Sequence, residues 1–151
     1  MRKSLVKNFL KKTDWAHAVQ SPLPGDASFR RYIRLIQNGG GRAMLMDAPP
    51  PQEDVQPFIR IAELLLKLGL SAPRIIAYDA KAGFLLLEDF GDDTYTRLLK
   101  DGADELELYQ LATDTLIKLH RSYTPLDDIP PYDDKRLLDE VALLVDWYLP
   151  A

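Results

Sequence analysis

Cysteine is absent from the chain, so no disulfide and no thiolate-ligated metal site can form. That absence is compatible with a reducing compartment. No apolar run approaches the roughly 18 residues that a membrane-spanning helix needs. An excess of positive charge is missing too: the net charge is −4 over 151 residues, which argues against a nucleic-acid-binding surface. Asparagine is scarce, with Asn8 and Asn38 the only examples, both near the N-terminus. There is no internal repeat and no low-complexity tract. The length allows one domain with a real core, but not two large ones.

What is present reads as alternating short elements. The basic start, "MRKSLVKNFLKK", lacks the long apolar core of a secretory signal. Leu5, Val6, Phe9 and Leu10 share one helical face, away from Lys3, Lys7 and Lys11. The stripe is short, which favours a helix packed on the domain over one lying on a membrane surface. "RRYIRLI" alternates with period two, placing Tyr32 and Arg34 on one side and Ile33 and Leu35 on the other. "GGGR" (Gly39 to Arg42) is a turn, and "AMLMDAPPP" is a strand stopped by prolines. "EDVQPFIRIAELLLKLG" reads as a helix with Glu53 and Asp54 at its positive end and Gly69 closing it. "PRIIAYD" and "GFLLLED", joined by "AKAG", form a hairpin. From "DDTYTRLL" the pattern is helical to about His120, with a final helix from about Lys135 to Leu149. That final helix carries a broad apolar face, including Leu138, Val141, Leu144, Val145 and Tyr148, which needs a partner.

Candidate site residues can be weighed on their chemistry alone. Gly25–Asp26–Ala27–Ser28 is either an ordinary hairpin turn or a loop whose small residues let backbone N–H groups approach a phosphate. Ser28 adds a hydroxyl, and Arg30 or Arg31 adds charge. "LLLEDFG" is a buried strand running into Glu88, Asp89 and Phe90, with Asp92 or Asp93 suited to cap the next helix. Glu63 has Lys67 at i+4 and reads as part of a solvated, salt-bridged face. Asp127–Asp128 and Asp133–Asp134 flank prolines and read as turn and cap residues. His120 suits a helix C-terminus.

The order of elements resembles the N-lobe of a kinase-like fold. "LPGDASFRRYIRL", "LMDAPP", "FIRIAELLLKLGLSAPRI", "GFLLLEDFGDDTYTRLL" and "DWYL" resemble bacterial amino-sugar kinases. These act on the anomeric hydroxyl of N-acetylmuramate and N-acetylglucosamine, within the aminoglycoside phosphotransferase (choline-kinase-like) group. The resemblance implies an α+β fold: an antiparallel sheet with one packed helix, then the first helices of a helical C-lobe. It places a nucleotide-binding lobe with its N-terminal helix at 1–89, and a hinge with the start of the second lobe at 90–151. It also implies a cytoplasmic enzyme of peptidoglycan recycling that uses ATP and Mg²⁺, with nucleotide and amino sugar as partners and neither nucleic acid nor membrane among them. On this resemblance Gly25, Asp26, Ala27, Ser28 and Arg31 contact phosphates, and Glu88, Asp89 and Phe90 form the adenine hinge.

Two departures stand out against that resemblance. The third strand, with Met44 and Met46, has no phosphate-binding lysine, so Arg31 or Arg34 is the candidate cation. The pattern H-x-D-x-x-x-x-N of a catalytic loop is absent: "HRSY" has Ser122 in place of the aspartate, and no asparagine follows. The expectation is therefore the front portion of a sugar kinase, inactive by itself. The alternatives are a non-catalytic nucleotide-binding or regulatory module, or a small α+β interaction domain.

Overall fold

The structure, a computed structural model, describes residues 2–25, 28–124 and 129–149. The expectations for Asp26, Ala27, Asp127 and Asp128 lie outside the described residues. The chain divides into two compact units, Met1–Arg121 and Ser122–Ala151.

The first unit is built on a five-stranded sheet in which every neighbouring pair is antiparallel. Its strands are β1 (Val19–Pro22), β2 (Arg31–Ile36), β3 (Arg42–Asp47), β4 (Ile75–Asp79) and β5 (Phe84–Glu88), in the order β1-β2-β3-β5-β4. The expected α+β architecture is thus present. β5 shows the reason for its apolar run: Phe84, Leu85, Leu86 and Leu87 are all buried, because helices cover both faces of the sheet. Each such side chain contributes about 1.5–3 kcal/mol on burial.

Helix α1 (Arg2–Leu10) covers one face. Val6, Phe9 and Leu10 pack on Leu35, Ala43, Leu45, Phe84 and Leu86, with the Phe9 and Phe84 rings stacked at 5.5 Å. Leu5, expected on the same stripe, lies at its exposed edge. Arg2 anchors the helix start. Its Nε and Nη2 donate to Asp47 Oδ1 at 2.7 and 2.5 Å, and its guanidinium lies 4.2 Å from the Phe84 ring centroid. Asp47 is the buried charged residue among the core positions, and this contact supplies the partner a buried carboxylate requires.

Helix α2 (Gln56–Lys67) covers the other face through Ile59, which joins Met46, Ala48, Val55, Leu85 and Leu87. The helix starts three residues later than the sequence reading placed it, with no acidic residue in its first turn; Asp54 Oδ1 accepts the Gln56 N–H at 2.9 Å, while Glu53 is drawn to Arg30. Gly69, at φ +71°, ends the helix as expected; Leu70 N–H returns to the Leu65 carbonyl at 2.9 Å. Glu63 is exposed, but no Glu63–Lys67 ion pair forms among the described residues. A solvated i,i+4 pair is worth only a few tenths of a kcal/mol, too little to order two long side chains.

The helical stretch after β5 is broken into α3 (Tyr95–Lys100) and α4 (Glu105–Ser122) by a turn at Gly102, whose φ is +90°. His120 sits in the last turn of α4, as expected. The second unit holds α5 (Asp134–Leu143), which continues into a π-helical turn, Leu144–Tyr148. Asp133 caps α5 through the Arg136 N–H at 3.0 Å, in line with its reading as a cap. Leu138, Val141, Leu144, Val145 and Tyr148 are exposed. No described helix is long and apolar enough to cross a membrane.

Candidate functional site

A polar network sits where β5 ends. Strand alternation on β2 places Tyr32 and Arg34 on the α2 face with Met44 and Met46, as the sequence pattern indicated. Arg34 reaches across to the segment after β5. Its Nε donates to Asp89 Oδ2 at 2.6 Å and its Nη2 to Asp89 Oδ1 at 3.1 Å, a forked pair. Both Nη atoms also donate to the Asp92 carboxylate at 2.9 Å, and Nη2 reaches the Gly91 carbonyl at 3.3 Å. Asp89 in turn accepts the Gly91 N–H at 2.9 Å.

Electrostatics follow this geometry. The hydrogen bonds Arg34 donates to Asp92 and Asp89 raise its pKa beyond its already high value. Burial pushes the Asp89 carboxyl up, yet the Arg34 and Gly91 donors outweigh it and hold the group below the usual carboxylate value. Asp92 is lowered by Arg34 as well. The Asp89 side chain is 1% exposed and that of Arg34 13%, so this pair is shielded from solvent on both sides.

Glu88 is fixed separately. It accepts from Arg74 Nε at 3.0 Å, while its own N–H donates to the Arg74 carbonyl at 2.9 Å. The Arg74 hydrogen bonds lower the Glu88 pKa. Asp89 follows directly on the β3–β5 ladder, whose last pair is Ala43 and Glu88, while among the described residues no hydrogen bond engages the main-chain N–H of Phe90. The main chain past β5 can meet the donor–acceptor edge of a planar heterocycle, beside the partly buried Met44.

At the other end of the sheet lies the β1–β2 connection. Ser28 Oγ accepts the Arg30 N–H at 3.0 Å, and Arg30 Nε donates to Glu53 Oε2 at 2.8 Å, tying the loop to the segment before α2. The Glu53 hydrogen bond raises the Arg30 pKa. A Cβ at Gly25 would meet nothing within 4 Å, and its φ is not positive. The fold itself therefore does not demand glycine there; open space is what it provides.

The structure distributes the sequence-derived site residues over distinct places. Glu88, Asp89 and Phe90 are contiguous at the end of β5, and Gly25 and Ser28 lie in the β1–β2 loop. Arg31 is opposite Asp47, which is opposite Phe84, four residues before Glu88 and so about 13 Å along the sheet. It alternates with Ile33 and Leu35 onto the α1 face, away from Arg34, and has no side-chain partner among the described residues. Of the two candidate replacements for a strand lysine, Arg34 is committed to Asp89 and Asp92. Asp92 or Asp93 was read as the cap of the next helix; instead Thr94, the residue before the first turn, caps α3 through the Arg97 N–H at 3.3 Å, and Asp92 pairs with Arg34. The Arg34 network escapes sequence reading because its partners stand 55 and 58 positions away. Among the described residues no group of three or more His, Asp or Glu side chains is placed to hold a metal ion.

Comparison with known proteins sets this geometry in context. Residues 19–151 match the phosphotransferase enzyme family. The chain is 45% identical, over 85% of its length, to an N-acetylmuramate/N-acetylglucosamine kinase of Pseudomonas aeruginosa. It is 45% identical over 82% of its length to the protein of that name from Pseudomonas putida. It is 32% identical over 97% of its length to one from Caulobacter vibrioides. The chain spans 37%, 36% and 50% of those relatives, respectively.

Proposed function

Because the chain belongs to the phosphotransferase enzyme family, we propose that it is the nucleotide-binding portion of an ATP-dependent amino-sugar kinase. Residues 1–89 form the nucleotide lobe; residues 90–151 supply the hinge and the opening helices of the second lobe. The transfer runs from the γ-phosphate of ATP to the anomeric hydroxyl of N-acetylmuramate or N-acetylglucosamine. It serves peptidoglycan recycling in the cytoplasm. The observation that carries this reading is the 45% identity to kinases of that name over most of the chain.

The chain's own residues have definable tasks in that reading. The main-chain groups of Asp89 and Phe90 bind the adenine edge, and Arg34 holds Asp89 so that those groups keep one orientation. Gly25, Asp26, Ala27 and Ser28 admit the phosphates closely to the backbone. Mg²⁺ would neutralise phosphate charge when bound; among the described residues no group of three or more His, Asp or Glu side chains is placed to hold it, and the sequence has no asparagine beyond Asn38. The 151-residue chain by itself is therefore inactive.

The test is phosphoryl transfer by the full-length protein, with ATP and each sugar, read by ³¹P NMR of the product. A sugar 1-phosphate is the expected result. Phosphorylation at another hydroxyl, or ATP turnover independent of either sugar, would contradict the reading.

A further inference from the structure

One guanidinium organises the whole turn that leaves β5. Of the residues Asp89, Phe90, Gly91 and Asp92, all but Phe90 give an acceptor to Arg34: two carboxylates and the Gly91 carbonyl. Every nitrogen of the Arg34 side chain is engaged, Nε by Asp89, Nη1 by Asp92, and Nη2 by both carboxylates and by Gly91. Gly91 takes φ +80°, and a Cβ there would meet nothing within 4 Å, so its backbone conformation rather than crowding calls for glycine. Its N–H closes the turn on Asp89 Oδ1 at 2.9 Å. Phe90 is the residue left out. It is 57% exposed, and no hydrogen bond engages its main-chain N–H among the described residues.

A chain leaving the end of a strand has many conformations, and a ligand that needs one of them must offset the cost of ordering it. Here the order is built in before any ligand arrives. Lysine could not supply it, because an ammonium is a point charge without the planar fork that spans two carboxylates. Arg34 is also poorly placed for phosphates. Arg31 opens β2 next to the β1–β2 loop, and Arg34 lies three residues on, roughly 10 Å further along the strand. Given the kinase reading, on which this rests, we propose that Arg34 is a positioning residue for the nucleotide base. It templates the turn from Asp89 to Asp92 so that the Phe90 N–H is held ready for the heterocycle, and it takes no part in holding the phosphates. That removes Arg34 as a stand-in for the missing strand lysine.

The test is calorimetric titration of the full-length protein with adenosine and with ATP. Arg34→Lys should weaken both ligands by the same factor, about tenfold. Gly91→Ala keeps the guanidinium but disfavours the positive φ, and should give the same parallel loss. A loss that grows from adenosine to ATP would overturn the proposal in favour of a phosphate contact. A purely structural role would lower the binding stoichiometry and leave the affinity of the folded fraction intact, and that result would overturn it too. So would wild-type affinity for adenosine in both variants. Unsubstituted protein that binds neither ligand would instead refute the kinase reading, and this role with it.

Discussion

Arg34 on β2 and Asp89 after β5 are joined by two parallel hydrogen bonds, 2.6 and 3.1 Å long, across 55 residues of sequence. The pair fixes the segment that leaves the sheet to the strand next to β3. Removing the guanidinium leaves the shielded Asp89 carboxylate without its partner. Arg34→Ala should cost about 2–4 kcal/mol in urea unfolding. Arg34→Lys keeps the charge but loses the fork and should recover only part of that loss. Full recovery by lysine would show that charge alone matters.

Acid should weaken this network in a defined window. Asp89 and Asp92 both have pKa values lowered in the fold. Their stabilisation is complete above the unfolded aspartate value of about 3.9 and is lost as pH falls through the folded values. The urea midpoint should therefore show no loss from these groups between about pH 7 and 5, and a decline below about pH 4. Asp89→Asn should lower stability at neutral pH and flatten part of that decline.

Gly83 makes a sharp stability prediction. Its φ is +71°, and an added Cβ would lie 1.9 Å from the Ala48 carbonyl oxygen. That oxygen belongs to backbone, so no side chain can swing aside. Gly83→Ala should destabilise by about 2 kcal/mol or more, measured by thermal or urea unfolding.

Gly25 gives the converse case. With open space around it and no positive φ, Gly25→Ala should change stability by less than about 0.5 kcal/mol. If the β1–β2 loop contacts phosphates, the same substitution in the full-length protein should raise KM for ATP on the order of tenfold. An unchanged KM would remove Gly25 from the site.

Much of the fold was legible because single-element patterns determine it. The alternation of Tyr32 and Arg34 against Ile33 and Leu35 assigns the two faces of β2. Gly69 ends α2 because a positive φ suits glycine, and Asp133 caps α5 because a short carboxylate reaches the first-turn N–H groups. Readings that depended on competition between partners were less secure. Asp92 and Asp93 were the candidate caps of α3, but the helix starts at Tyr95, so Thr94 takes the cap and Asp92 pairs with Arg34. The break at Gly102 was hidden because α3 and α4 share a helical composition on either side.

The central claim is that the segment after β5 is the adenine hinge. The direct measurement is amide hydrogen exchange in the full-length protein, resolved at Asp89 and Phe90, with and without ATP. The Phe90 amide has no hydrogen-bond partner among the described residues, so it should exchange fast in the free protein, and both amides should become more protected when ATP binds. Saturating ATP that leaves exchange at both positions unchanged would contradict the account.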